Sequence, residues 1–96
     1  MNHKVLISVL NYKNFESTKK CVLSILDCSL KNIEIYIVDN NSSDNSYQKL
    51  KDYFKDLKVV KSKVNNGYAA GHKIAVNYGI ENKFDFIWVL NNDLTV

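Results

Sequence analysis

No proline occurs in the 96 residues, and there are only three glycines. Helix and loop boundaries must therefore be read from Asn, Ser, Asp and those few glycines. The glycine-rich turn that seats a pyrophosphate in dinucleotide-binding units is missing too. After the first apolar run the chain reads Asn11-Tyr12-Lys13-Asn14-Phe15, which argues against NAD. The two cysteines, Cys21 and Cys28, form no C-x-x-C. Seven apart in a helical stretch, they share a face two turns apart and cannot easily pair, so they read as free thiols in a reducing cytosol. His3 reads as N-terminal surface, and His72 has no second histidine or cysteine at metal-ligand spacing. The run Val5 to Leu10 is too short for a signal peptide, and no apolar run approaches a membrane span. A net charge of +3 with scattered lysines gives no case for nucleic acid; it suits an anionic small ligand or a membrane surface.

What is present is an ordinary globular composition, 46% apolar and 24% charged, enough for one small domain spanning residues 1–96. Val5 to Leu10 is a near-continuous apolar run, as expected of a strand buried on both faces. Asn14 can cap a helix whose stripe is Phe15, Thr18, Val22, Ile25 and Leu26. Ile33 to Val38 is a second strand. Ser43 and Asp44 open a second helix with a Tyr47, Leu50 and Phe54 stripe, and Leu57 to Val60 is a short third strand. Asn65-Asn66-Gly67 is a turn, and a third helix runs from about Ala69 to Tyr78 with Gly79 as its stop. Phe86 to Leu90 is the fourth strand. The order β-α-β-α-β-α-β predicts an α/β fold: three layers, α/β/α, around a mainly parallel four-stranded sheet covered on both faces.

Ligands of such sheets sit beyond the carboxyl ends of the strands. That rule selects Asn11 and Tyr12, then Asp39 to Asn41, then Asn91, Asn92 and Asp93. Asp39 is a candidate acceptor for a nucleotide base or ribose; its simpler reading is a loop carboxylate near a helix cap. At Gly67 to Lys73, spacing alone favours a tight turn and a close helix–sheet contact, with His72 and Lys73 solvated. The functional alternative has backbone N–H groups at this helix start, with His72 or Lys73, facing a diphosphate. Asp93, flanked by amides, suits a hard divalent cation, Mg²⁺ or Mn²⁺, held mostly by phosphate oxygens and water. The sequence given stops three residues later, an ending that points to a missing segment.

Four segments in order are V-L-I-S-V-L-N-Y, I-Y-I-V-D-N-N-S-S-D-N-S, N-N-G-Y-A-A-G and W-V-L-N-N-D-L-T-V. Together they resemble the nucleotide-binding half of a family 2 glycosyltransferase of the GT-A type, a Rossmann-like half-domain. The resemblance implies that Asn11 and Tyr12 line the base and ribose pocket and that Asp39 accepts a hydrogen bond from a pyrimidine. It implies nucleotide contacts at Gly67, His72, Lys73 and Asn92, and that Asp93 is the metal-binding acid of the D-x-D element. The L-N-N-D form is similar to members acting on bacterial surface polysaccharides, rhamnosyltransferase-like ones included. Asn91 replaces the first acid of D-x-D, Leu94 sits where a further acid is common, and His72-Lys73 replaces a frequent Arg-Asn.

The implied activity is inverting transfer from a nucleoside-diphosphate sugar, a UDP- or dTDP-sugar, to a saccharide or lipid-linked acceptor. The resemblance further implies a cytoplasmic protein, with peripheral contact at the inner face of the cell membrane for the full-length form. The base for that reaction is expected downstream of Asp93, so these residues would bind donor only. Two other classes carry less: a receiver-like or other non-enzymatic nucleotide-binding domain, and a nucleotidyltransferase. The first needs clustered acids after the first strand, where Asn11 and Tyr12 stand, and the second needs a Gly-rich basic loop there.

Overall fold

The computed structural model describes residues 3–28, 31–63 and 67–91, with the backbone alone for 67–70 and Asn91. The elements alternate as expected: β1 (Val5–Asn11), α1 (Phe15–Leu26), β2 (Ile33–Asp39), α2 (Ser46–Tyr53), β3 (Lys58–Lys61), α3 (Gly67–Glu81) and β4 (Phe86–Asn91). The four strands form one parallel sheet in the order β3-β2-β1-β4. The chain thus winds outward from β1 through β2 to β3, then crosses back to β4 on the other side of β1. The order reverses between β1 and β4, which opens a crevice at their carboxyl ends.

Alternation along the strands divides the core. Ile7 and Val9 of β1 and Ile35 and Ile37 of β2 pack with Cys21, Val22 and Ile25 of α1 and Leu50 of α2. Leu6 and Leu10 pack with Tyr36 and Val38 against Ala75 of α3. Each fully buried Ile or Leu contributes about 1.5–3 kcal/mol of apolar transfer free energy. Asn14 caps α1, its side-chain oxygen accepting from the Ser17 N–H at 3.2 Å.

Three expectations are corrected. The second helix begins at Ser46, not at Ser43-Asp44; the Asp44 carboxylate instead accepts from the Ser46 N–H at 3.0 Å. Hydrogen bonding from the Ser46 side chain, and then from its N–H, holds the Asp44 carboxyl below its ordinary value. Gly79 lies inside α3 and does not end it; a Cβ there would stand 2.7 Å from Ile87 Cδ1, so the glycine permits close helix–strand approach. The covered sheet also has an exception. Phe86 and Trp88 on the outer strand β4 are about half exposed, because α1 and α2 pack on that face over β1 to β3; Val89, on the α3 face, is about half exposed as well. Of the expected Asn65-Asn66-Gly67 turn, only Gly67 lies within the described residues, as the first residue of α3.

Candidate functional site

The inward apolar rows of β1 and β2 end in a polar pair. After Ile7 and Val9 comes Asn11; after Ile35 and Ile37 comes Asp39; the two stand opposite each other in register. Both are wholly buried, where an unpaired amide or carboxylate would be costly. They pair instead, the Asn11 amide donating from Nδ2 to Asp39 Oδ1 at 2.7 Å. Ser42 closes the loop after β2, donating from Oγ to Asp39 Oδ1 at 2.6 Å and from its N–H to Oδ2 at 2.9 Å. A carboxylate offers about four acceptor positions, and these three bonds fill most of them. Asp39 thus turns inward, toward the protein, and its remaining acceptor position is shut from solvent.

Two further side chains complete the network. Thr18, on the first turns of α1, donates its hydroxyl to Asn11 Oδ1 at 2.6 Å. Ser42 Oγ accepts from the Lys13 backbone N–H at 2.8 Å. The loops so joined each hold a residue in the left-handed region, Lys13 at φ 53 and Asn41 at φ 56. Asparagine tolerates that conformation, whereas for lysine it is strained. Tyr12 between these loops and α1 is exposed, with Lys13 Nζ 5.2 Å from its ring centroid. Its free face can stack on a planar base.

The helices complete this edge. In a parallel sheet each crossover helix starts where a strand ends, so α1, α2 and α3 all begin on the carboxyl side, with their positive dipole ends there. The first turns of α3 also press on this edge: a Cβ on Gly71 would stand 2.4 Å from Leu10 Cδ1 and 3.5 Å from Asn40 Oδ1. Only glycine lets the helix settle so tightly on the ends of β1 and β2.

His72 is not solvated as its spacing suggested. It is buried on the α3 face of the sheet, its Nδ1 2.7 Å from the hydroxyl of the fully buried Ser8 in mid-β1. That is the opposite face from Asn11 and Asp39. Lys73 is exposed. Asn92 and Asp93 lie outside the described residues. Among the described residues no three His, Cys, Asp or Glu side chains come together as a metal site, and Asp39 is engaged by protein donors. Thr18, Ser42 and Ser8 were not singled out as site residues in the sequence. For Ser42 a signal existed, since D-x-x-S after a strand is a turn in which the acid accepts from the third N–H; Ser8 offered none, its partner being 64 residues away.

Burial lowers the His72 pKa below the ordinary 6.5. The unfolded chain therefore binds a proton at His72 that the folded chain refuses, and stability falls as pH drops through 6.5. Thermal melts from pH 7.5 to 5.0 should show a decline in midpoint that is smaller in His72→Asn. Equal declines in both would show that other groups control the acid limb.

A concavity of about 510 Å³ lies at the amino ends of the strands, lined by Leu26, Ile33, Glu34, Ile35, Asp56, Leu57 and Lys58. Two carboxylates there would repel a phosphate-bearing ligand. The carboxyl edge, with exposed Tyr12 and three helix starts, is the better anion site.

This fold is an α/β unit with a parallel sheet whose strand ends carry amide and acid groups where no glycine-rich loop stands. The profile of Glycosyl transferase family 2 matches residues 5–96, and the chain belongs to that family. Comparison with curated protein sequences finds no match. Among solved structures, S. aureus TarS aligns with a TM-score of 0.76 at 20% identity, over 94% of this chain and 16% of TarS. The 1-349 form of TarS gives 0.77 at 20% identity, over 94% of this chain and 27% of that one. The mannosyltransferase PcManGT from Pyrobaculum calidifontis, in complex with GDP-Man and Mn²⁺, gives 0.80 at 15% identity, over 99% of this chain and 29% of its own. At these identities the likeness shows the shared GT-A fold. The chain spans under a third of the length of each of these structures.

Proposed function

We propose that this chain forms the donor-binding part of a glycosyltransferase that takes its sugar from a nucleoside-diphosphate sugar. The observation that carries the reading is the buried Asn11–Asp39 pair beside exposed Tyr12, at the carboxyl edge where α3 begins. Tyr12 stacks on the base, Asn11 and Asp39 build the wall behind it, and the N–H groups at the start of α3 meet the diphosphate with Lys73 nearby. UDP- or dTDP-sugars are the donors of choice. GDP-sugars are the main competitor, given the GDP-Man in the Pyrobaculum mannosyltransferase.

A divalent ion, Mn²⁺ or Mg²⁺, fits this reading as a ligand that arrives with the donor. Asp93 would hold it, and when bound it would supply charge neutralisation at the diphosphate leaving group. Transfer proceeds with inversion to a hydroxyl of a saccharide or lipid-linked acceptor in bacterial surface polysaccharide synthesis, the L-N-N-D form favouring rhamnosyltransferase-like chemistry. The work is cytoplasmic, at the inner face of the membrane. Among the described residues no helix is long and apolar enough to cross one. Base and acceptor contacts are assigned to sequence beyond Asp93, and residues 1–96 to donor binding.

Calorimetric titration with UDP, dTDP and GDP, each with and without Mn²⁺, tests this. The expected result is saturable binding of at least one nucleotide, strengthened by the metal. A folded protein that binds none of them would refute the reading.

A further inference from the structure

We propose that Thr18 and Ser42 are positioning residues of the donor site, acting through Asn11 and Asp39; this rests on the donor-site reading above. An ionised carboxylate only accepts, so the Asn11 amide must turn its NH₂ toward Asp39 and its oxygen away. Away from Asp39 that oxygen meets Thr18, whose hydroxyl donates to it at 2.6 Å. Thr18 therefore fixes which way the amide faces, and the amide in turn fixes Asp39. Both groups are wholly buried, so no water replaces a lost partner.

Ser42 extends the relay to the loops. It binds both oxygens of Asp39 and also accepts from the Lys13 N–H. The turns after β1 and β2, with left-handed Lys13 and Asn41, are thereby tied to one carboxylate. Strained conformations persist only where the surroundings over-determine them, and here the surroundings are these hydrogen bonds. Tyr12 sits directly before Lys13, so the relay sets where its ring presents itself to a base. Thr18 on a helix and Ser42 in a loop thus shape a binding surface from behind.

The test compares Thr18→Val, Thr18→Ser and Ser42→Ala with wild type. Amide hydrogen exchange is followed at Ser42, Lys13 and Ser17, and UDP with Mn²⁺ is titrated by calorimetry. Thr18→Val is expected to speed exchange at Ser42 and Lys13 about tenfold and to weaken UDP about tenfold. Exchange at Ser17, whose amide bonds Asn14, stays unchanged, and Thr18→Ser restores the rest. Ser42→Ala, which leaves the core intact, gives the same pair of effects if Thr18→Val folds poorly. The proposal is overturned if these variants lower the melting temperature yet keep wild-type exchange and affinity. If wild type binds no nucleotide, the donor-site reading falls on that result, and the exchange data alone then decide the relay.

Discussion

Asp39→Ala is expected to remove about 3–4 kcal/mol of unfolding free energy and to abolish nucleotide binding. The substitution strands the Asn11 NH₂, the Ser42 hydroxyl and the Ser42 N–H around a small void. Each buried donor left unpaired costs roughly 1–3 kcal/mol, less where a hydroxyl can rotate to another partner. A chain of this length has only roughly 5–14 kcal/mol in total, so the loss is a large share. Asp39→Asn sharpens the test. Its single carbonyl oxygen can replace Oδ1, but its NH₂ then faces the Ser42 N–H, donor against donor. About 2 kcal/mol should be lost, although the shape is unchanged. Urea melts followed by circular dichroism measure both; a loss under about 0.5 kcal/mol in Asp39→Asn would mean that Asp39 faces outward to ligand instead.

Gly71→Ala is the second large effect, at about 2 kcal/mol. Its Cβ would stand 2.4 Å from Leu10 Cδ1, and Leu10 is packed among Leu6, Tyr36, Val38 and Ala75. Overpacking of this kind costs about 1–3 kcal/mol, against a gain of at most about 1 kcal/mol from helix propensity. The helix start must also withdraw from Asn40, so nucleotide affinity should fall with stability. Gly79→Ala is the internal control. Its Cβ would meet Ile87 Cδ1 at 2.7 Å and the wholly buried Leu6 Cδ2 at 3.0 Å; Ile87 is only partly buried, so the net loss should be smaller than at Gly71. A Gly71→Ala protein as stable as Gly79→Ala would show that α3 does not depend on close approach at its start.

The strands were readable because parallel strands buried on both faces leave nearly continuous apolar runs, as in Val5 to Leu10 and Ile33 to Val38. The strand-end rule then led directly to Asn11 and Asp39, since both break those runs at the same height. What escaped the sequence depends on partners distant in the chain. His72 reads as a surface polar residue until β1 brings Ser8 beneath it. Thr18 is one member of a helical stripe until Asn11 arrives to accept its hydrogen bond. Gly79 reads as a helix stop, and only its packing against Ile87 reveals a close helix–strand contact inside α3. In the run S-S-D-N-S several residues could begin a helix, and the bond from Ser46 to Asp44 selects one.

The proposed function requires a nucleoside diphosphate to bind at the carboxyl edge of the sheet. Backbone amide shifts recorded while UDP and Mn²⁺ are titrated into the labelled protein test it most directly. The largest changes should fall at Asn11 to Lys13, Asp39 to Ser42 and Gly71 to Lys73. Little should move at Glu34, Asp56 or Lys58. Changes centred on those three residues instead, with the carboxyl edge silent, would contradict it.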